Sequence, residues 1–186
     1  MRLLDQIIMY NRQFVKDKEY KQLQTDKFPK KKLVIVSCMD TRLVELLPQA
    51  MNIGNGDAKI IKTAGALIDH PFGGVMKSII VAIYELNASE VCVVGHHDCG
   101  MAKLDPNKIM EKIKERGIAE EDLNLLQNAG IDIEQFLSGF NCVNASVERS
   151  VRMIRNHPLI PRDIVVHGLV IDPNTGNLEV VVNGYQ

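Results

Sequence analysis

The sequence has almost no net charge: 22 Lys and Arg against 23 Asp and Glu leave −1 at neutral pH. So even a balance gives no electrostatic reason to bind nucleic acid or an anionic membrane. Long apolar runs are also missing; none approaches the roughly 20 residues that cross a bilayer. The opening Met1-Arg2-Leu3-Leu4-Asp5-Gln6 interrupts its short apolar stretch with charge and has no signal-peptide core. A cytoplasmic location is the expectation. Cysteine is scarce, four residues without a Cys-x-x-Cys pair, which excludes a secreted disulfide framework. No Gly-x-Gly-x-x-Gly or Walker pattern occurs, and Gly73-Gly74 is too short for a phosphate loop. No repeat, low-complexity tract or linker divides the 186 residues. One domain over 1–186 is therefore expected, with residues 1–32 as an N-terminal helical arm.

What the chain does contain is alternation. Asp5 to Lys18 reads as an amphipathic helix. Pro29-Lys30-Lys31-Lys32 reads as a solvated turn before a first strand, Leu33 to Ser37, whose continuous apolar run suits burial on both faces. Leu43–Ala50 reads as helix and Ala58–Thr63 as a second strand. Gly74–Leu86 is a helix apolar nearly all round, which needs burial on two sides and hints at an oligomer. Glu90–Gly95 is a third strand. Asp105-Pro106 starts a helix with an acidic cap and proline at its first position, ending near Gly117. Short helices follow at Glu120–Asn128 and Ile133–Leu137, and a longer one at Asn144–Asn156. Asp163–Ile171 is a fourth strand. The turn Asp172-Pro173-Asn174-Thr175-Gly176 leads to a fifth, Leu178–Asn183. The expected class is α/β: a mostly parallel central sheet, four parallel strands plus an antiparallel C-terminal edge strand, flanked by helices.

Two segments carry chemistry. In Val34-Ile35-Val36-Ser37-Cys38-Met39-Asp40-Thr41-Arg42 and Val91-Cys92-Val93-Val94-Gly95-His96-His97-Asp98-Cys99-Gly100, a β-branched run stops at polar, reactive residues. Cys38, Ala64-Gly65 and His96 each follow a predicted strand, so all three fall on the carboxyl edge where such sheets bind ligands. His96-x-x-Cys99 can present two ligands to one ion, and Cys38 can add a third from a neighbouring strand. Two thiolates and an imidazole form a zinc site with its fourth position open to water, the arrangement of catalytic zinc. Such a water loses its proton near pH ~7. Asp40 lies close enough to accept a hydrogen bond from it, with Arg42 holding Asp40 ionised. The competing reading is a thiol phosphatase. That loop needs five residues between nucleophile and arginine, whereas only Met39-Asp40-Thr41 intervene here and Asp40 repels phosphate. Cys92 and Cys142 read as small buried hydrophobes. His97 is assigned a supporting or surface role, and His70 and His167 read as structural.

Cys38-x-Asp40-x-Arg42 followed by His96-x-x-Cys99, with Thr63-Ala64-Gly65-Ala66 between them, resembles the β-class carbonic anhydrases. The likeness extends from Leu33 to Asn183. It implies one Zn2+ per chain on Cys38, His96 and Cys99. It also implies an Asp40–Arg42 dyad that either frees the zinc water or, in a resting form, lets Asp40 take the fourth position. Gly100, Ala64 and Gly65 would contact substrate. The implied reaction is reversible hydration of carbon dioxide to bicarbonate and a proton by zinc-bound hydroxide. Family members are usually dimers or larger, with the N-terminal helix laid across the partner, so a homodimer or higher homo-oligomer is expected. Thr63 stands where the family has asparagine, Lys62 where arginine is common, and Met101 where a small residue is frequent. Related enzymes hydrolyse carbonyl sulfide or carbon disulfide with the same ligands, so that alternative stays open. So does a non-catalytic, zinc-bearing bicarbonate sensor, although an intact dyad favours an enzyme.

Overall fold

The computed structural model describes all 186 residues. Its helices are α1 (Leu3–Lys16), α2 (Leu43–Ala50), α3 (Gly74–Leu86), α4 (Pro106–Glu115), α5 (Glu120–Asn128), α6 (Ile133–Phe136) and α7 (Val143–Arg155). Its strands are β1 (Leu33–Cys38), β2 (Ala58–Thr63), β3 (Glu90–His96), β4 (Val165–Ile171) and β5 (Leu178–Val182). They form one sheet in the order β2-β1-β3-β4-β5. The first four run parallel and β5 pairs antiparallel with β4, as the alternation predicts.

The sheet separates two apolar layers. Val34 and Val36 of β1 and Val91 and Val93 of β3 face a layer with Met76 and Ile79 of α3 and Val147, Val151 and Ile154 of α7. Ile35, Cys92 and Val94 face the other, against Leu43 and Leu47 of α2. That period-two alternation explains why these strands read as unbroken apolar runs: both faces are covered. Helix α7 lies very close to β3 and β4 because both offer glycine where it crosses. A Cβ on Gly95 would sit 2.7 Å from Val143 Cγ2, and one on Gly168 2.6 Å from Val147 Cγ1. Overpacking of this kind costs about 1–3 kcal/mol.

From β1 the chain moves to β2 on one side and then returns to place β3 on the other. The reversal opens a crevice at the carboxyl ends of β1 and β3, where open α/β sheets hold their ligands. Cys38 ends one of these strands and His96 ends the other.

Two expectations need correction. Cys142 is exposed, not buried, because it precedes the first residue of α7 and lies outside the helix's packed face. Strand β4 begins at Val165 rather than Asp163: the chain joins the ladder only after the turn in which Ile164 N–H bonds the Pro161 carbonyl. Helix α3 buries Met76, Ile79, Ala82 and Ile83 but leaves Val81 and Tyr84 to solvent within one chain. Helix α1 buries none of its residues, and Leu3, Leu4, Ile7, Met9 and Tyr10 are all more than half exposed.

Candidate metal centre

At the crevice, one ligand atom each from Cys38, His96 and Cys99 lies within 4.8 Å of the others, and all three residues are buried. Cys38 comes straight off β1 and His96 straight off β3. Cys99 is returned to them by a turn through Asp98, whose φ of 52° is left-handed. The two sulfurs are 3.9 Å apart. A disulfide needs about 2.05 Å. Two thiolates bonded at about 2.3 Å to one tetrahedral zinc stand about 3.8 Å apart. The imidazole completes the set: His96 is only 1% exposed. Its Nδ1 lies 2.8 Å from the His97 carbonyl, so Nδ1–H donates there and Nε2 carries the lone pair. That buried Nε2 has no hydrogen-bond partner. A soft cation ligated by two sulfurs and one nitrogen fits this orphaned acceptor and this donor set.

Asp40 and Arg42 lie beside the cluster. Arg42 Nε donates to Asp40 Oδ1 at 3.0 Å and Nη2 to Oδ2 at 2.8 Å, and the Arg42 backbone N–H adds a third bond at 2.9 Å. This fork holds Oδ2 3.8 Å from the free Nε2 of His96. Arg42 also reaches the other loop, with Nη2 3.2 Å from the Asp98 carbonyl and Nη1 3.4 Å from Asp98 Oδ2. Lys62 Nζ donates to the Cys38 and Leu43 carbonyls, 3.3 Å each, steadying the loop from below.

The protonation states follow from these neighbours. The Arg42 hydrogen bonds hold the Asp40 carboxyl down at about 2. Burial pushes the Cys38 thiol up, but His96 and the N–H groups of Asp40 and Gly65 together bring it down to about 7. Gly65 N–H lies 3.3 Å from Cys38 Sγ. Cys99 has less help, and burial raises it to about 11. A coordinating cation overrides that penalty, because a metal-bound thiol loses its proton outright. Burial works against a charged His96, yet the Cys38 sulfur, the His97 carbonyl and Asp40 leave it raised.

The expected substrate contacts divide. Ala64 lines a cavity of about 400 Å³ whose wall also includes Thr63, Leu67, His70, Met101 and Leu104. Gly65 is buried, and a Cβ there would meet Met101 and Phe140 at 2.9–3.0 Å. Gly100 is exposed, with nothing within 4 Å of the place a side chain would take. His97 is half-buried, with Nε2 3.7 Å from Glu179 Oε1. His70 accepts from the Phe72 N–H. His167 lies at the far end of the sheet, where it and Tyr185 meet Glu90, the first residue of β3. Sequence reasoning missed Asp98 and Lys62 as supports. Asp98 sat unremarked inside the motif, and no residue pattern announces a left-handed turn there.

The structure thus defines an open α/β protein with a buried Cys-His-Cys cluster that could hold a metal ion at its topological switch point, and an arginine-held carboxylate beside it. The sequence profile of the family described as "Carbonic anhydrase" matches residues 33–178. The Bacillus subtilis (strain 168) protein named "Putative carbonic anhydrase YvdA" is 60% identical over 98% of this chain and 93% of its own. The crystal structure of β-carbonic anhydrase isoform I from Trichomonas vaginalis superposes with a TM-score of 0.88 at 34% identity, over the full length of both chains. A carbon disulfide hydrolase of Acidithiobacillus thiooxidans is 27% identical over 80% of this chain and 76% of its own. The chain belongs to the β-carbonic anhydrase family.

Proposed function

We propose that this protein is a zinc-dependent carbonate dehydratase that interconverts carbon dioxide and bicarbonate, with Cys38, His96 and Cys99 as the ligands of one zinc per chain. The observation that carries this reading is the buried, unpartnered His96 Nε2 facing two thiols, with the arginine-held Asp40 3.8 Å away. A zinc ion with three protein ligands supplies a Lewis acid that activates water near neutral pH. The chain's own residues do the rest. The His97 carbonyl fixes the tautomer that leaves Nε2 free. Arg42 keeps Asp40 ionised and aimed, so that Oδ2 can accept a hydrogen bond from the attacking water and orient it. Ala64, Leu67 and Met101 form an apolar wall beside the Gly65 loop, which suits a small, uncharged, linear substrate. Gly65 supports the site from beneath through Cys38, and Gly100 N–H is free to contact substrate.

The carbon disulfide hydrolase likeness favours one second reading, hydrolysis of carbonyl sulfide or carbon disulfide by the same residues. Stopped-flow assays of the zinc-loaded protein with carbon dioxide, carbonyl sulfide and carbon disulfide in parallel separate the two. Carbon dioxide should be turned over fastest. Turnover of the sulfur compounds alone would select the second reading, and no turnover of any would make the protein a non-catalytic module.

The same reading makes the chain one domain, with α1 as an arm that packs on a second copy in a homodimer or larger assembly. The exposed apolar face of α1 supports this. No helix is long and apolar enough to cross a membrane, and we place the enzyme in the cytoplasm.

A further inference from the structure

Asp40 and Arg42 are two residues apart on one loop. Their pairing alone therefore cannot fix how they stand relative to His96 and Cys99, which belong to another loop; the pair could swing as a unit. The contact that closes this freedom comes from Asp98. Its carbonyl accepts from Arg42 Nη2, the nitrogen that also bonds Asp40 Oδ2, at 3.2 Å, and its Oδ2 accepts from Nη1 at 3.4 Å. Its other carboxylate oxygen accepts from Lys103 Nζ at 3.1 Å, which holds the side chain in place. The left-handed backbone at Asp98, φ 52°, accompanies this reach. Aspartate, asparagine and glycine are the residues that tolerate such a conformation.

We propose that Asp98 is a positioning residue. Its carboxylate, acting beside its own backbone carbonyl, clamps Arg42 to the loop that carries His96 and Cys99, and through Arg42 it sets where Asp40 stands. Arg42 is thus a bridge between the two ligand-bearing loops, held by Asp40 on one and by Asp98 on the other. This role rests on the reading of the site as a zinc-dependent hydratase, and it adds a residue to which neither the motif nor the ligand set assigns work.

The test uses the zinc-loaded, full-length protein and three variants, Asp98→Gly, Asp98→Asn and Arg42→Ala. Asp98→Gly keeps the left-handed turn and the carbonyl that accepts from Arg42 Nη2, and removes only the carboxylate that accepts from Nη1. It should keep its zinc and its Tm while kcat for carbon dioxide hydration falls about tenfold with KM unchanged, the lower end of the range for groups that orient others around a metal. Asp98→Asn keeps an acceptor oxygen and should recover most of that rate. In an Arg42→Ala background, Asp98→Gly should cost nothing further, because the clamp has nothing left to hold. A second readout is independent of turnover: the Arg42 Nε–H resonance should be sharp in the wild type and broadened in Asp98→Gly. If the zinc-loaded wild type hydrates no carbon dioxide, the hydratase reading fails and the resonance alone decides on Asp98. A wild-type kcat in Asp98→Gly, an equal loss in the Arg42→Ala background, or an unchanged Arg42 resonance would each overturn the assignment.

Discussion

The Nε2 of His96 and Oδ2 of Asp40 face each other across 3.8 Å, and the nitrogen has no hydrogen-bond partner. A buried acceptor without a partner costs about 1–3 kcal/mol. Here the carboxylate stays turned toward Arg42, which leaves the histidine and the two thiols for the zinc proposed above.

Removing one thiol from that set should therefore release the metal. Cys38→Ser is expected to lose most of its zinc by elemental analysis. Cys142→Ser should retain one zinc per chain, since Cys142 is exposed and stands outside the cluster. Full zinc occupancy in Cys38→Ser would show that the ligand set is wrong.

The dyad should affect rate more than binding. Arg42→Ala and Asp40→Asn are each expected to keep zinc and lose about two orders of magnitude in turnover, the scale for removing a positioned polar catalytic group. Initial rates measured with metal content decide this. Near-wild-type rates in both variants would reduce the pair to a structural salt bridge.

Much of this was legible in the chain. Val34–Val36 and Val91–Val94 are unbroken β-branched runs because both sheet faces are covered, and the chemistry begins where those runs stop. Those stops fall at Cys38 and His96, which end β1 and β3 in the structure. Less visible were features set by backbone torsion and by distant neighbours. Asp98 works through a left-handed turn that its residue type permits but does not require. Lys62 reaches carbonyls of a loop some twenty residues earlier. Cys142 reads as core on composition, yet it sits one residue outside the helix whose face is buried.

Folding depresses the Asp40 carboxyl to about 2, chiefly through the Arg42 side-chain hydrogen bond, against about 3.9 in an unfolded chain. A group lowered in this way stabilises the fold fully above its unfolded value and loses that contribution as pH falls through the folded one. The unfolding free energies of wild type and Asp40→Asn should thus differ by a constant amount above about pH 5, and the gap should close between about pH 4 and 2. A gap that widens on acidification would contradict the ion pair.

Gly65 combines a φ of 68° with neighbours that leave no room: a Cβ would stand 2.9 Å from Met101 Cγ and 3.0 Å from Phe140 Cε1. Gly65→Ala should cost at least about 1–2 kcal/mol from the torsion alone. It should also weaken zinc binding by shifting the N–H that faces Cys38 Sγ. Denaturant unfolding alongside a zinc competition assay reads both effects. An unaltered variant would mean that the loop beneath Cys38 is looser than the contacts imply.

The unpartnered apolar face of α1 makes assembly measurable. Light scattering at micromolar concentration should give a mass at least twice the 20.8 kDa of one chain. Ile7→Asp, on that face, should shift it toward the monomer. A wild-type mass of one chain would refute the arm's role.

The most direct test is the carbon dioxide hydration rate measured by stopped flow as zinc is removed with a chelator and then restored in steps. The rate should vanish in the stripped protein. It should return in proportion to bound zinc and saturate at one ion per chain, with the Cys38→Ser variant failing to recover under the same titration. Hydration that survives complete zinc removal, or a fully loaded protein that hydrates no carbon dioxide, would contradict a zinc hydratase built on Cys38, His96 and Cys99.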